Sequence, residues 1–268
     1  MGIAQLDIAA LRQRFRAAQP FPFVMIDGFL EPAFALEVAR AYPRYEEAEK
    51  LGRTFKAVNE YRKIQITDPT HFPAPVRALA DAMAEKSFLA TLSAISGTKD
   101  LLWDRSFAGG GMHQTGNHGL LDVHVDFNQL AATGAYRRLN LLLYLNEVWK
   151  PEWGGALELW DRDVKTCCHT IEPVLNRCVI FETSDHSFHG VTAVTCPPDL
   201  TRNSFAIYCY TQQAPAGWDG RSHSTVFKAR PDQRLKRHIL MPAERLGHRF
   251  EEGVRRAKRL VKKLIGRG

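Results

Sequence analysis

The chain has 268 residues, of which 45% are hydrophobic and 24% charged, a composition typical of one large globular domain with appendages and not of a disordered protein. The net charge of +7 is concentrated at the end of the chain: residues 228–268 hold 14 Lys and Arg against 4 Asp and Glu, which leaves −3 on residues 1–227. The charge pattern therefore argues against nucleic-acid binding by the main domain.

The N-terminal stretch and the cysteines predict a cytoplasmic protein. The opening sequence MGIAQLDIAALRQRF lacks the apolar centre of a signal peptide, and no apolar run approaches the roughly 18 residues that a membrane-spanning helix needs. The 5 cysteines are odd in number and include no C-x-x-C pair, which fits neither a disulfide framework nor a zinc knuckle. We therefore expect reduced thiols in a reducing compartment.

Residues 1–103 predict one strand and several bracing helices of the same domain. FPFVMIDGFL, residues 21–30, is an apolar run typical of a short strand. EPAFALEVARAYP, residues 31–43, has an early proline and stops at another, as helices do. One longer helix is predicted over residues 73–97, where apolar residues recur at helical spacing up to a glycine.

Residues 104–212 change to a β pattern and form the predicted catalytic core. The Gly-rich stretch over residues 107–119 predicts a loop that leads into it. Short β-rich runs then follow at close spacing without intervening helices: RLNLLLYLN, GALELWD, CHTIEP, RCVIFE and NSFAIYCYT. The expected fold class is mostly β with flanking helices, as a jelly roll, sandwich or barrel.

The stretch LLDVHVDFNQ, residues 120–129, alternates apolar and polar residues with the period of a strand. The alternation predicts that Leu121, Val123, Val125 and Phe127 share one face and that Asp122, His124, Asp126 and Asn128 share the other. A histidine and a carboxylate two residues apart on one face are candidate metal ligands.

A second histidine on a neighbouring strand would complete a metal site, and His186 and His189 are the candidates about sixty residues on. Two imidazoles and one carboxylate form the facial triad of non-haem Fe(II) oxygenases, which leaves open positions for other ligands. A 2-oxoglutarate co-substrate also needs a cation for its far carboxylate, and Arg202 at the start of the last strand could supply it. Tyr144 could offer a hydroxyl to the same carboxylate.

In its ordered motifs the chain resembles the prolyl-4-hydroxylase-like branch of the Fe(II)/2-oxoglutarate-dependent oxygenases. HVD, RLNLLLYLN, GGALELWD, RCVIFE, HGV and RNS follow one another in the family's order over residues 109–211. The resemblance implies a double-stranded β-helix (jelly roll) core with His124, Asp126 and His189 on iron, His189 being preferred to His186 because of the HGV motif. It also implies that Tyr144, Arg202 and Ser204 bind 2-oxoglutarate, although 13 residues separate His189 from Arg202, which is longer than usual.

The activity implied by the resemblance is hydroxylation of an unactivated C–H bond by Fe(II), 2-oxoglutarate and O2, with release of succinate and CO2 and with ascorbate as a reductant. The substrate is expected to be a peptidyl or amino-acid group, or a small molecule or glycan. The alternative is a jelly-roll protein that binds a metal or sugar without oxygen chemistry. Asn140 and Gln114 could also bind 2-oxoglutarate, and Asn128 could bind substrate. His113 and His118 are expected in the loop near the mouth of the site.

Residues 213–268 are predicted to be a basic C-terminal extension with an amphipathic helix over residues 249–265. Phe250, Val254, Ala257, Val261 and Leu264 give this helix an apolar stripe, and Lys and Arg surround it. The helix could pack on its own domain. It could instead contact an anionic membrane or an acidic partner, which would make the protein peripheral to the membrane.

Overall fold

The strands of the computed structural model, which describes residues 2–233, 235, 236 and 241, form one curled, largely antiparallel sheet. The described part of the chain contains five α-helices: α1 (Ile8–Ala17), α2 (Pro32–Arg40), α3 (Tyr45–Leu51), α4 (Ala74–Ala84) and α5 (Lys86–Ser96). It contains twelve strands: β1 (Phe23–Asp27), β2 (Arg53–Lys56), β3 (Glu60–Ile66), β4 (Leu102–Trp103), β5 (Gly111–Val125), β6 (Tyr136–Tyr144), β7 (Leu157–Trp160), β8 (Cys167–Ile171), β9 (Arg177–Glu182), β10 (His189–Val191), β11 (Arg202–Thr211) and β12 (Val226–Phe227).

The strand order confirms the predicted jelly-roll fold with flanking helices. The main path runs β1-β9-β6-β11-β5-β10-β7-β8, so strands that are distant in the chain lie side by side. The late strands β10 and β11 both pair with β5, which brings the two halves of the core together. The N-terminal elements join the same sheet, since β1 pairs with β9 and β3 pairs with β5.

The long strand β5 occupies most of the predicted Gly-rich loop, so the expectation of a loop over residues 107–119 was wrong in that part. Glycine is needed here for close packing, because a Cβ atom on Gly116 would lie 2.9 Å from the ring of Tyr45. The ladder between β3 and β5 is irregular between Tyr61 and Lys63, and His118 has a φ of 63°. β5 is therefore one strand with a local irregularity.

The single helix predicted over residues 73–97 is two helices, α4 and α5, with Glu85 in an extended conformation between them. The buried positions of α4 end at Met83 and those of α5 begin at Phe88. This five-residue step does not fit the three- and four-residue spacing of one apolar face, which is a physical reason for the break. The other predicted elements are shorter than expected, with strand β1 within residues 21–30 and helix α2 within residues 31–43.

The apolar faces of the helices pack on one face of the curled sheet and leave the other face for the site. The main core cluster includes Phe29 and Val38 near the helices, Leu79 of α4, and Leu141 and Ile207 of the central strands. The opposite face of β6, β11 and β5 lines a cavity.

The beginning of the C-terminal extension also joins the sheet, because β12 pairs with β5. The helix predicted over residues 249–265 lies outside the described residues. Within the described part of the chain, no helix is long and apolar enough to cross a membrane.

Candidate metal and co-substrate site

Three side chains with metal-binding atoms meet at the centre of the cavity. His124 on β5 lies directly opposite His189 on β10, and Asp126 follows one residue beyond the end of β5. The Nε2 atoms of His124 and His189 lie 3.6 and 3.5 Å from the two carboxylate oxygens of Asp126. One ligand atom from each residue lies within 4.8 Å of the others. Two imidazoles and a carboxylate in this arrangement fit one divalent cation with nitrogen and oxygen preferences.

Backbone carbonyls fix the orientation of both imidazoles. The Nδ1 atom of His124 lies 2.8 Å from the carbonyl of Asp122, and the Nδ1 atom of His189 lies 2.9 Å from the carbonyl of Ser187. A carbonyl can only accept, so each Nδ1 carries a proton, and in the neutral ring each Nε2 then presents its lone pair to the centre of the cluster. Burial, followed by the nearby His124, lowers the pKa of His189 to about 3, which keeps its imidazole neutral and able to ligate.

The predicted alternation along residues 120–129 holds only in part. His124 and Asp126 line the cavity, while Val123 and Val125 pack in a separate apolar cluster, as the alternation predicts. Leu121 and Phe127, however, also line the cavity. The register between β5 and β10 shifts between Leu121 and His124, which locally breaks the period of two.

The alternative ligand His186 is exposed and does not belong to the cluster. It follows β9 in a loop, where its backbone nitrogen donates to the Ser184 hydroxyl. The geometry therefore favours His189 as the second histidine.

The carboxylate of Asp126 is held by a polar network that the sequence did not reveal. Asn140 Nδ2 donates to Asp126 Oδ2 at 2.7 Å, and Arg137 Nε donates to Asn140 Oδ1 at 2.8 Å. The guanidinium of Arg137 also pairs with Asp126 Oδ2 at 3.2 Å and lies 3.4 Å from the ring centroid of Tyr208. Asn140 thus lines the cavity, and its hydrogen bonds hold a candidate metal ligand, while its contact with 2-oxoglutarate stays a prediction.

This network keeps Asp126 ionised. Burial alone would raise its pKa, but Arg137 and the two imidazoles lower the pKa of Asp126 well below its ordinary value. A divalent cation requires a deprotonated carboxylate as ligand, which is the state that this network favours at Asp126.

A buried cation forms the other end of the cavity. Arg202 is 4% exposed, its Nε donates to the Gly155 carbonyl at 2.5 Å, and its guanidinium lies 5.0 Å from the ring centroid of Tyr144. Among the described residues no carboxylate pairs with Arg202. The Tyr144 hydroxyl beside it is fully buried and makes no hydrogen bond of good geometry within the described part of the chain. Burying a guanidinium without a counter-ion is costly, so this end of the cavity fits an anion.

The residues around Arg202 complete that end of the cavity. Ser204 lies two residues along β11 on the same face and pairs with Tyr144 of β6. Leu142 and Leu157 supply apolar walls. A dicarboxylic acid with a short apolar chain fits these groups, as the prediction for 2-oxoglutarate requires.

Two of the predicted site residues lie away from the cavity. Gln114 points to the opposite side of β5, where its Nε2 donates to the Pro43 carbonyl at 2.8 Å. Asn128 holds the segment after β11, since it donates to the Arg221 carbonyl at 2.9 Å and accepts from the His223 amide at 3.0 Å.

His113 and His118 are not the loop residues that were expected, because both lie on β5. His113 is buried and lines the cavity, with its Nε2 3.0 Å from Gln65 Nε2. His118 is exposed. Burial, followed by Lys63, lowers the pKa of His113 well below its ordinary value.

Comparison with known proteins identifies the core. Residues 110–210 match the family model of the 2OG-Fe(II) oxygenase superfamily. Over these residues the chain is similar to this superfamily. The match confirms the prediction of an Fe(II)/2-oxoglutarate-dependent dioxygenase and favours it over a jelly-roll binding protein without oxygen chemistry. Among curated proteins no match was found.

Several solved structures share the fold of this oxygenase. A prolyl hydroxylase from Trichoplax adhaerens, in complex with a peptide from a hypoxia-inducible factor, is 16% identical with a TM-score of 0.54, over 76% of this chain and 90% of that chain. A prolyl 4-hydroxylase from Phytophthora capsici is 22% identical with a TM-score of 0.51, over 80% of this chain and 68% of that chain. HygX from Streptomyces hygroscopicus, with nickel, 2-oxoglutarate and hygromycin B bound, is 13% identical with a TM-score of 0.50, over 75% of this chain and 87% of that chain.

Proposed function

We propose that this oxygenase hydroxylates an unactivated C–H bond of an organic substrate and converts 2-oxoglutarate and O2 to succinate and CO2. The observation that carries the proposal is the cavity itself: the cluster of two histidines and one aspartate shares it with Arg202, a buried cation that has no carboxylate partner among the described residues. A metal site alone would need no second cation. The two features together fit a metal-bound acid whose far carboxylate lies at Arg202.

Each residue then has a role that follows from its contacts. His124, Asp126 and His189 would hold Fe(II), which supplies the oxygen chemistry when bound. Arg202 would pair with the far carboxylate of 2-oxoglutarate, and Tyr144 and Ser204 would donate hydroxyl hydrogen bonds to it.

The carboxylate ligand also bears on the type of reaction. Asp126 would take the position on the metal that a halide would need, so the proposal is hydroxylation and not halogenation. Ascorbate would act only as an external reductant, since it is not consumed in each hydroxylation.

The substrate is proposed as a class. Proteins that share this fold act on, or are bound to, different molecules: the Trichoplax structure holds a peptide and HygX holds hygromycin B. These likenesses support either a peptidyl group or a small molecule, including a glycan. We further propose a cytoplasmic location.

The proposal is tested by O2-dependent formation of succinate with ferrous iron and 2-oxoglutarate. Arg202→Met should raise the 2-oxoglutarate concentration needed for half-maximal turnover roughly 30- to 1,000-fold, because a buried, charge-assisted contact worth about 2–4 kcal/mol is lost. Its affinity for metal should stay within about twofold of wild type.

The matched control is Arg177→Met, whose guanidinium pairs with Asp27 on strand β1, away from the cavity. This variant should need the wild-type concentration of 2-oxoglutarate. An unchanged requirement in Arg202→Met would show that another group binds the co-substrate.

A further inference from the structure

The C-terminal extension runs beside the strand that carries His124. Val226 and Phe227 of β12 pair with Val125 and His124, and the backbone nitrogen of Lys228 donates to the Val123 carbonyl at 2.8 Å. The family match ends at residue 210, so this segment lies outside the matched core. An element added after the core therefore reaches the candidate metal centre.

A side chain from this segment forms a wall of the cavity. The ring centroid of Phe227 lies 5.4 Å from that of His124. Phe227 and Thr225 line the same cavity as Leu121 and Val191. The ring of Phe227 therefore forms part of the cavity wall next to a candidate metal ligand.

Arg230 fastens the segment to the sheet. Its Nε and Nη2 donate to Glu158 Oε2 at 2.8 and 2.6 Å, and its Nη1 donates to Asp122 Oδ1 at 3.0 Å. Asp122 is 1% exposed and also pairs with Lys236 at 2.5 Å. Buried carboxylates are stable as anions only when such cations remain in place, so the anchor is hard to release.

Arg230 contacts both strands that carry the candidate histidine ligands. Asp122 precedes His124 by two residues and accepts its Nδ1 hydrogen bond. Arg230 Nη2 also donates to the Val191 carbonyl at 3.1 Å, two residues after His189. A Cβ atom on Gly190 would lie 3.2 Å from this Nη2, so the guanidinium packs directly on the backbone of β10.

We propose that Phe227 is a specificity-determining residue of the substrate pocket and that Arg230 is the positioning residue that holds it beside His124. The inference rests on the proposed function for the identity of the pocket. Phe227 limits the size of the group that can approach the metal from the side of His124. Arg230 fixes the position of the Phe227 side chain in the pocket.

The first test probes the space beside the metal without catalysis. The Co(II)-loaded protein, saturated with N-oxalylglycine, is titrated with imidazole and with 4-phenylimidazole, and binding is followed by visible absorption. Phe227→Ala should strengthen binding of 4-phenylimidazole by about 10- to 200-fold, the range of a hydrophobic size limit, and leave imidazole within about twofold. Arg230→Met should also strengthen binding of 4-phenylimidazole relative to imidazole, so the ratio of the two affinities should change in the same direction as in Phe227→Ala.

The matched control is Arg221→Met, in the same extension, whose side chain is 87% exposed and pairs loosely with Asp219 at 3.9 Å. It should leave the ratio of the two affinities at the wild-type value. An unchanged ratio in Phe227→Ala, with cobalt bound normally, overturns the present inference and leaves the proposed function standing. Failure of the wild-type protein to bind Co(II) overturns both.

The second test needs no metal. Hydrogen–deuterium exchange of the metal-free protein should show faster exchange over residues 226–228 in Arg230→Met, and the wild-type rate in Arg221→Met and in Phe227→Ala. Unchanged exchange in Arg230→Met overturns its positioning role. If Arg230→Met does not fold, the Phe227→Ala titration decides the proposal.

Discussion

The candidate ligands His124 and His189 are oriented by the same local contact. In both rings Nδ1 lies within hydrogen-bonding distance of a carbonyl two residues earlier, so both Nε2 atoms face Asp126. The same local bond in each strand is a simple way to aim a ligand, because it depends on backbone geometry alone.

His189→Ala is expected to weaken Co(II) or Ni(II) binding by more than about 100-fold, since one of three protein ligands is lost. Calorimetric titration of the metal-free protein measures this directly. His186→Ala is the matched control, because His186 lies three residues earlier in an exposed loop, and its affinity should equal that of wild type. The opposite result, with His186→Ala unable to bind metal, would show that the wrong histidine is assigned.

His113 gives a pH dependence of stability with a definite sign. Burial, followed by Lys63, keeps its pKa well below 6.5 in the folded protein. Below pH 6.5 the unfolded chain takes up a proton at His113 that the folded protein does not, so this residue lowers stability as pH falls. The slope approaches about 1.4 kcal/mol per pH unit until the folded pKa is reached.

His113→Gln should therefore lose less stability than wild type between pH 7.5 and 5.5. The measurement is urea unfolding of the two proteins at several pH values in that range. Exposed His118→Gln, on the same strand, is the matched variant and should follow wild type. A pH profile of His113→Gln that parallels wild type would show that His113 is protonated within the fold.

At the scale of elements, the turn before β7 shapes the co-substrate end of the cavity. Gly155 has a φ of 70°, and its carbonyl accepts from Arg202. A Cβ atom here would lie 2.9 Å from Arg202 Cδ. The second glycine of the GGALELWD motif is therefore required both by the backbone and by the guanidinium.

Gly155→Ala should weaken 2-oxoglutarate binding as well as stability, whereas Gly134→Ala should affect stability alone. Gly134 has a φ of 71° with no atom within 4 Å of an added Cβ, so it reports the backbone strain without the contact. Each substitution should cost about 1–2 kcal/mol of unfolding free energy. The affinity of each variant for 2-oxoglutarate is measured by calorimetry with Mn(II) present. Equal affinities of the two variants would show that Gly155 does not contribute to binding of 2-oxoglutarate.

The helices and strands also show which features the local sequence could predict. The histidine and aspartate of HVD could be predicted as a pair because they are two residues apart at the end of one strand. The break at Glu85 was missed because apolar residues continue on both sides of it, although the step from Met83 to Phe88 contained the signal. The role of Arg137 could not be predicted, since its contact with Asp126 depends on how two strands align.

At the scale of the whole molecule, one sheet connects the three segments of the chain. The N-terminal strands β1 and β3 pair with core strands, and β12 of the extension pairs with β5. The sequence predicted the core from ordered motifs, but the extension carries no motif that points to the site. Arg230 and Phe227 reach it only through long-range pairing, which composition and periodicity do not reveal.

The basic helix predicted over residues 249–265 is expected to pack on its own domain. The last described residue, Met241, is 5% exposed, so the chain is in contact with the domain at that residue, shortly before the predicted helix. Deleting residues 249–268 should then expose the sites that the apolar stripe covers and lower the melting temperature by several degrees, since each kcal/mol shifts it by about 2–4 °C.

A second variant separates the apolar stripe from the charge. Replacing six of the basic residues of the predicted helix with Gln leaves the apolar stripe intact and should keep the wild-type melting temperature. These residues are Arg255, Arg256, Lys258, Arg259, Lys262 and Lys263. Co-sedimentation with vesicles of 30% phosphatidylserine, at low and high salt, tests whether the helix instead binds an anionic membrane. Each basic residue near an anionic surface contributes about 1 kcal/mol of binding free energy, which salt screens. Salt-sensitive vesicle binding that disappears in the Gln variant, with an unchanged melting temperature after deletion, would show that the helix contacts a membrane instead.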